Sequence, residues 1–257
     1  MKKKSKLSKK AAKKAETEFL ANYDASLYPH PSVSVDVALF TVDDGKLKVL
    51  LTHRDHQPAL GKWSLPGTFV GISESLDQAA SRALATKTGV SGIFLEQLYT
   101  FGQPDRDPRT RVITVAYYAL VHIEKLRRML NEDPNIQLID LVVLWSGEKG
   151  GKVQGKNEAG KKVNLAFDHG DIIGLVVKRL RGKLSYAPIG FELLPKKFTL
   201  RQLQSIHETI LGKKKNKDSF RRSLIASGLI AATGELESSV GHRPAELYRF
   251  KRKTERK

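Results

Sequence analysis

The chain is predicted to fold as an α/β sandwich followed by a small, mainly helical domain that ends in a β-hairpin. Three observations carry this expectation. Apolar periods of strand and helix type succeed one another in the order sheet, helix, sheet, helix; two capped amphipathic helices stand near the C-terminus; and the segment between these regions is broken by Pro188 and Pro195. A length of 257 residues favours two domains over one, and an apolar content of 40% supplies their cores.

The opening MKKKSKLSKKAAKKAET is low in complexity, so residues 1–20 are expected to form a mobile basic tail. It reads either as a solubilising segment or as a weak, non-specific attractor of nucleic acid. The α/β domain is assigned to residues 21–194. From Val33 the pattern VSVDVALFTV alternates and then runs apolar, Asp43-Asp44-Gly45 marks a turn, and KLKVLLTHR gives a second strand. Leu76, Ala79, Ala80, Ala83 and Leu84 then fall on one helix face, which predicts a helix over 76–88. Ser75 and Gln78 form its capping box and Gly89 its end. Before it, Leu65-Pro66-Gly67 reads as a tight backbone approach whose N–H groups face a phosphate. IFLEQLYTFG and TRVITVAYYALVHI are further strands flanking the polar loop QPDRDPR, and a late helix is expected over Asp171–Arg181. SGEKGGKVQGKNEAGKKVN is expected to be a flexible excursion or a hairpin, without a catalytic pattern.

The loop and helix over Trp63–Val90 resemble the Nudix box, which is a Gly, five residues, a Glu, seven residues, then Arg-Glu-U-x-Glu-Glu-x-Gly-U with U aliphatic. Glu74, Arg82, Leu84, Gly89 and Val90 match, whereas Thr68 replaces the opening Gly, Ala83 the Glu after the Arg, and Thr86 and Lys87 the paired Glu. A divalent cation needs hard anionic oxygen ligands, and a hydroxyl and an ammonium do not supply them. Little or no hydrolysis is therefore expected, because the metal orients water and neutralises the pyrophosphate. Lys87 is then either a fixed positive charge beside a bound pyrophosphate or a solvated helix residue. The resemblance implies the Nudix α/β/α sandwich and a nucleotide-sugar site whose base and phosphates are held by an aromatic and Arg residues near the box. Arg54, Trp63 and Phe69 are the candidates, with Gly67, Thr68 and Lys87, and with Arg106, Arg109 and Arg111 from the following loop. Trp63 either stacks on a base or fills the core. Glu74 and Arg82 are read as an internal pair that shapes the loop beside the ligand, and Asp168 either caps the late helix or touches ligand.

YAPIGFELLPKK is expected to connect the domains, with the second spanning 195–257. There, Thr199 and Gln202 make a capping box, Leu200, Leu203, Ile206, Ile210 and Leu211 line one helix face, and Gly212 ends it. A second helix, starting at Asn216 or Asp218, buries Phe220, Leu224 and Ile225 and stops at Gly228. LIAATGELESSVGHRPAELYRFKR then reads as two strands about a polar loop. Two capped helices and a wing constitute a winged helix-turn-helix. FTLRQLQSIHETILG, DSFRRSLIASGLI, TGE and HRPAELYRF, together with YDASLYPHPSVSVDVALF, LPGTFV and FGQPDRDPRTRVITVAYYALV upstream, resemble the Nudix-related transcriptional regulators of NAD metabolism over about residues 20–252. This resemblance implies a homodimeric repressor that binds a palindromic double-stranded operator and leaves it when ADP-ribose, or a related NAD-derived nucleotide, fills the Nudix-like domain. The competing expectation is an active ADP-ribose pyrophosphatase with a nucleic-acid-binding appendage.

In such a regulator the start of the second helix enters the major groove. Asn216, Lys217, Ser219, Arg221 and Arg222 are placed for phosphate and base-edge contacts, Arg243, with His242 beside it, for a minor groove, and Thr199, Arg201 and Lys214 for backbone anchoring. Charge placement agrees. The formal charge is +18, with eight Lys against Glu16 and Glu18 in residues 1–20 and sixteen Lys and Arg against six acids in 196–257. A nearly neutral body with basic ends points to a polyanionic partner. The absence of Cys excludes a disulfide scaffold and a thiolate metal site. The longest apolar run, Val115–Val121, is far short of the roughly 20 residues of a membrane span. No cofactor, no membrane association and a cytoplasmic location are expected.

Overall fold

The structure is a computed structural model that describes residues 9–130, 133–145, 147–184, 189–238, 241 and 243–251. The chain divides into two compact units, Met1–Pro31 and Ser32–Lys257. In the first, Lys9–Ala21 is a helix, α1, which corrects the expectation of a mobile tail from Lys9 onward. Its Ala and Lys are strong helix formers. A 3-10 turn follows at Ala25–Leu27, with the Asp24 side chain accepting from the Ser26 N–H.

The second unit opens with the expected hairpin, β1 (Ser32–Asp43) and β2 (Lys46–His53). Asp44 and Gly45 turn it with φ of 48° and 70°, the conformation a tight hairpin needs. β3 (Trp63–Ser64), β4 (Gly67–Phe69) and α2 (Leu76–Thr88) follow, then β5 (Glu96–Phe101) and β6 (Val112–Leu120). Ser75 and Gln78 cap α2 reciprocally, and Gly89 closes it in the left-handed conformation at φ 75°. Besides α1 and the short strands β3 and β4, the helix α3 (Ile123–Met129) and the strand β7 (Ile136–Val143) have no counterpart in the sequence reading. The glycine-rich excursion is a hairpin, β8 (Val153–Lys156) and β9 (Lys162–Val163), whose turn is closed by the Lys161 N–H donating to the Asn157 side chain. α4 (His169–Lys183) extends the late helix beyond both expected ends.

Among the described residues these strands form a nine-stranded sheet in the order β5-β6-β1-β2-β7-β8-β9, with β3 paired to β2 and β4 to β1. β1 runs parallel to β6 from Ser32↔Val112 to Phe40↔Leu120, and the remaining neighbours are antiparallel. Alternation along β1 divides the core. Val35, Val37 and Leu39 face α2 and α3 through Ala80, Ala83, Leu84 and Leu126, whereas Ala38 and Phe40 face α4 through Ile172, Ile173, Val176 and Val177. The layers are therefore helix, sheet, helix. Because β1 is covered on both faces its middle, Val35–Phe40, reads as an apolar run interrupted by Asp36.

A 3-10 turn at Phe191–Leu193 leads to α5 (Leu200–Leu211), α6 (Lys217–Ala226), β10 (Ile230–Leu236) and β11 (Glu246–Phe250). Of the expected connection, Tyr186, Ala187 and Pro188 lie outside the described residues, and Leu193 and Leu194 are buried, as is Phe198 after it. The core on the α4 face continues through them into Leu203, Ile206, Ile210, Phe220, Leu224, Ile230 and Tyr248. Ile225 departs from expectation: it is 51% exposed, because a helix whose Phe220 and Leu224 face the core turns the next position away. Among the described residues no helix is long and apolar enough to cross a membrane.

Candidate functional site

A cleft of about 420 Å³ opens at the edge of the sheet, lined by β1, the end of β2, β4, the last turn of α2, the loop after β5 and the residues that start α4. Its floor depends on Gly67. A Cβ there would lie 2.3 Å from Asp36 Oδ1 and 2.8 Å from the Val35 carbonyl oxygen, so only Gly lets β4 approach β1. That is the tight approach expected of Leu65-Pro66-Gly67, but it serves strand pairing. The Leu65 N–H does not face a phosphate either, because it donates to His169 Nδ1 at 2.9 Å. With Nδ1 accepting, the ring proton sits on Nε2, 3.6 Å from Asp36 Oδ1. Burial pushes the His169 pKa down, against the nearby Asp36 and Asp168 charges, and the ring is neutral.

Asp36 also accepts from Thr114 Oγ1 at 2.7 Å. Arg106 is buried beside it, its Nη2 at 3.5 Å from Asp36, and forks onto Asp168 at 2.9 and 2.7 Å. Asp168 stands at the N-cap position of α4 but makes no side-chain cap bond and does not line the cleft; its carboxylate is taken up by Arg106. Nearer the opening, Arg54 lies over the Phe167 ring at 5.1 Å and donates from Nε to the Pro58 carbonyl at 2.8 Å. Opposite in character but alike in geometry, Arg109 lies over Phe69 at 5.1 Å and forks onto Asp107 at 3.0 and 2.7 Å. Each guanidinium thus lies over an aromatic ring. Phe167 adopts φ 48°, a conformation uncommon for a bulky residue, which turns its ring into the cleft. Lys87 and Thr86 line the same space, and the Lys87 ammonium has no hydrogen bond or ion pair among the described residues.

Of the residues predicted from sequence, Arg54, Gly67, Thr68, Phe69, Lys87, Arg106 and Arg109 line the cleft. Trp63, Glu74, Arg82 and Arg111 do not, and each has a physical reason. Trp63 packs against the core and meets His53 edge-on at 5.1 Å. Glu74 is held by Arg82, whose Nε donates to it at 3.0 Å, and by the Gly71 N–H at 2.7 Å. These contacts depress its pKa to about 2, the Arg82 hydrogen bond contributing most. Arg82 also donates to the Phe69 carbonyl at 3.0 Å and to Thr68 Oγ1 at 3.3 Å. The pair therefore shapes the loop that carries Thr68 and Phe69 without lining the cleft. Arg111 turns away and donates to the Gln103 carbonyl at 3.1 Å. Asp36, Phe167 and His169 were not predicted as lining residues. A lone acid inside the apolar run VSVDVALF is the one sequence signal that points to Asp36.

The Nudix box implies a divalent cation, and the donors here do not fit one. Ala83 is packed in the core, Thr86 Oγ1 donates to the Arg82 carbonyl at 2.8 Å, Lys87 is a cation, and Glu74 is engaged by Arg82. Among the described residues no group of His, Cys, Asp or Glu is arranged to hold a metal ion. What the cleft offers instead is a set of cations, Arg54, Lys87, Arg106 and Arg109, of which Arg106 is paired with Asp168 and Arg109 with Asp107.

A second candidate surface lies on the C-terminal helices. Arg201, Lys214, Asn216, Lys217, Ser219, Arg221, Arg222 and Arg243 are exposed there, and His242 lies outside the described residues. Asn216 caps α6, its side chain accepting from the Ser219 N–H at 3.0 Å. The turn between α5 and α6 is held by Glu208, which accepts from the Lys215 N–H at 2.9 Å and pairs with Lys214 at 3.1 Å. Thr199 needs correction as a backbone anchor. It is 3% exposed, its hydroxyl accepts from the Gln202 N–H, and its own N–H donates to the Gln202 side chain.

Comparison with known proteins finds a family over each part of the chain. The NUDIX domain family matches residues 30–147, and the NrtR DNA-binding winged helix domain family matches residues 190–250. The chain is 37% identical over 238 residues to the ADPR responsive transcriptional repressor NtrR of Acinetobacter baylyi, a match spanning 92% of this chain and 88% of that protein. It is similar to the crystal structure of Shewanella oneidensis NrtR complexed with a 27mer DNA, with a TM-score of 0.70 and 36% identity, over 85% of this chain and 93% of that one. A shorter match, 36% identical over 91 residues, spans 35% of this chain and 52% of an ADP-ribose pyrophosphatase of Methanocaldococcus jannaschii.

Proposed function

The chain belongs to the NrtR family, a Nudix domain followed by an NrtR winged helix, and from that premise we propose that it is an ADP-ribose-responsive transcriptional repressor of NAD metabolism genes. The winged helix binds double-stranded operator DNA as part of a homodimer, and ADP-ribose in the cleft releases it. The observation that carries this reading is the joint presence, in one compact unit, of a cleft lined by Arg54, Lys87, Arg106 and Arg109, where Lys87 has no ion pair among the described residues, and a helix pair whose exposed face is basic. Arg54 and Arg109 are suited to the diphosphate and Lys87 to its charge, while Phe69 and Phe167 offer aromatic faces to the base. Gly67 and Arg106 position the floor. On DNA, Lys217, Ser219, Arg221 and Arg222 enter the major groove, Arg201 and Lys214 meet phosphates, and Arg243 reaches the minor groove. The protein works in the cytoplasm, where the operator is.

The same reading holds that ADP-ribose is bound and not cut, and that no cofactor takes part. A divalent ion would both generate the nucleophile and shield the pyrophosphate, and Thr86 and Lys87 provide no anionic ligand for it. The similarity to an ADP-ribose pyrophosphatase favours the opposite outcome, hydrolysis by a Nudix enzyme with a DNA-binding appendage. A gel shift on NAD-biosynthesis promoter fragments, run with and without ADP-ribose and magnesium, separates the two. A sensor releases DNA and leaves ADP-ribose intact, whereas an enzyme yields AMP and ribose 5-phosphate.

A further inference from the structure

Helix α4 has one end in the cleft and the other on the DNA-binding helices. At its start, Asp168 takes the fork of Arg106 and His169 accepts the Leu65 N–H, while Phe167, the residue before them, lies under Arg54. Between the ends, Ile172, Ile173, Val176, Val177 and Leu180 are fully buried, so fifteen residues, or about 22 Å of helix, are set in the core as one piece. Gly174 lets the β7–β8 loop lie directly on this rod, since a Cβ there would come within 2.2 Å of the Gly151 carbonyl oxygen. At the far end stands Arg181, 4% exposed and, among the described residues, without an acidic partner. Its Nε donates to the Ile210 carbonyl at 2.8 Å and its Nη1 to the Trp145 and Gly147 carbonyls at 3.0 and 3.2 Å. Ile210 belongs to the last turn of α5, where helix carbonyls lack intrahelical partners, so a cation there is well placed. A buried guanidinium clamped by main-chain carbonyls is a costly way to join two layers unless their relative position matters.

We propose that α4 is the element through which an occupied cleft acts on DNA affinity, and that Arg181 is the positioning residue that hands its displacement to α5. This rests on the ADP-ribose-responsive reading above. A diphosphate competes with Asp168 for the Arg106 fork, because a guanidinium can donate two parallel N–H bonds to either a carboxylate or a phosphate. Loosening that fork, or pressing on Phe167, shifts the start of α4. The buried rod does not bend easily, and Arg181 moves the Ile210 turn with it. α5 then carries α6 with it, because the intervening turn is fixed on Glu208.

The test uses the full chain and a fluorescent duplex selected by the wild-type protein from random sequence. In the wild type, saturating ADP-ribose is expected to weaken duplex affinity by about 5–150-fold. Arg181→Met is expected to bind ADP-ribose by calorimetry within about threefold of wild type and to bind the duplex, yet to show a ratio near one with and without ADP-ribose. A folded variant with the wild-type ratio overturns the proposal. A second readout does not depend on that variant folding. Of the two Trp, only Trp145 lies beside Arg181, its ring 5.7 Å from the guanidinium, and it does not line the cleft. In Trp63→Phe, saturating ADP-ribose is expected to shift Trp145 emission; binding by calorimetry with no shift overturns the proposal. If wild-type duplex affinity ignores bound ADP-ribose, the functional reading itself fails and this inference falls with it.

Discussion

At the scale of single residues the account turns on Lys87, the free ammonium at the position where the Nudix box carries a Glu. Lys87→Ala is expected to weaken ADP-ribose binding about tenfold, near 1.4 kcal/mol, and Lys87→Glu more, since it places a carboxylate against a diphosphate. Calorimetry in EDTA and in magnesium should give the same wild-type affinity, because the counter-charge is built into the chain. His207 offers a different test. It lies on α5 against Phe220 of α6, its Nδ1 has no hydrogen-bond partner among the described residues, and burial, with the neighbouring Lys215 charge, lowers its pKa to about 4. A His whose pKa is lower folded than unfolded binds fewer protons when folded. Its contribution is whole above the unfolded value near 6.5 and is lost as pH falls towards about 4. Wild-type Tm should therefore drop between pH 6.5 and 5, and His207→Leu should flatten that part of the curve.

Among elements, the caps and the close approach of β4 to β1 make the sharpest predictions. Thr199→Ala removes the reciprocal cap of α5 and is expected to cost about 1 kcal/mol in chemical denaturation, with ADP-ribose affinity unchanged. Gly67→Ala drives a methyl into Asp36 and the Val35 carbonyl, so both Tm and ADP-ribose affinity should fall together. Elements with a strong local signature were legible in the sequence: the hairpin by its Asp-Asp-Gly turn, α2 and α5 by capping boxes and terminal Gly, and the wing by alternation about a polar loop. β7 was not, because its burial comes from β2 and β8, partners distant in sequence. α3 is too short to show a period, and α1 was hidden by a composition shared by helices and mobile basic tails. The cleft was half legible. Its Arg residues announced themselves beside the box, whereas Phe167 enters by a left-handed backbone and His169 by a contact to Leu65 across 104 residues.

For the whole molecule, the apolar core runs without interruption from the sheet into the winged helix, so the reading head is mounted on the sensing layers. Such a mounting permits a change in the cleft to be felt at the DNA, and sets a scale of about 1–3 kcal/mol for the coupling. The basic face of α5, α6 and the wing predicts a steep salt response. If a dimer neutralises roughly 6–10 phosphates, operator affinity should fall about 10³–10⁵ between 50 and 200 mM salt, measured by anisotropy. The most direct measurement titrates ADP-ribose into operator-bound protein in magnesium buffer, following DNA anisotropy while the nucleotide is analysed by chromatography. The account predicts release of the DNA with ADP-ribose recovered intact. DNA that stays bound while the cleft is filled, or the appearance of AMP and ribose 5-phosphate, would contradict it.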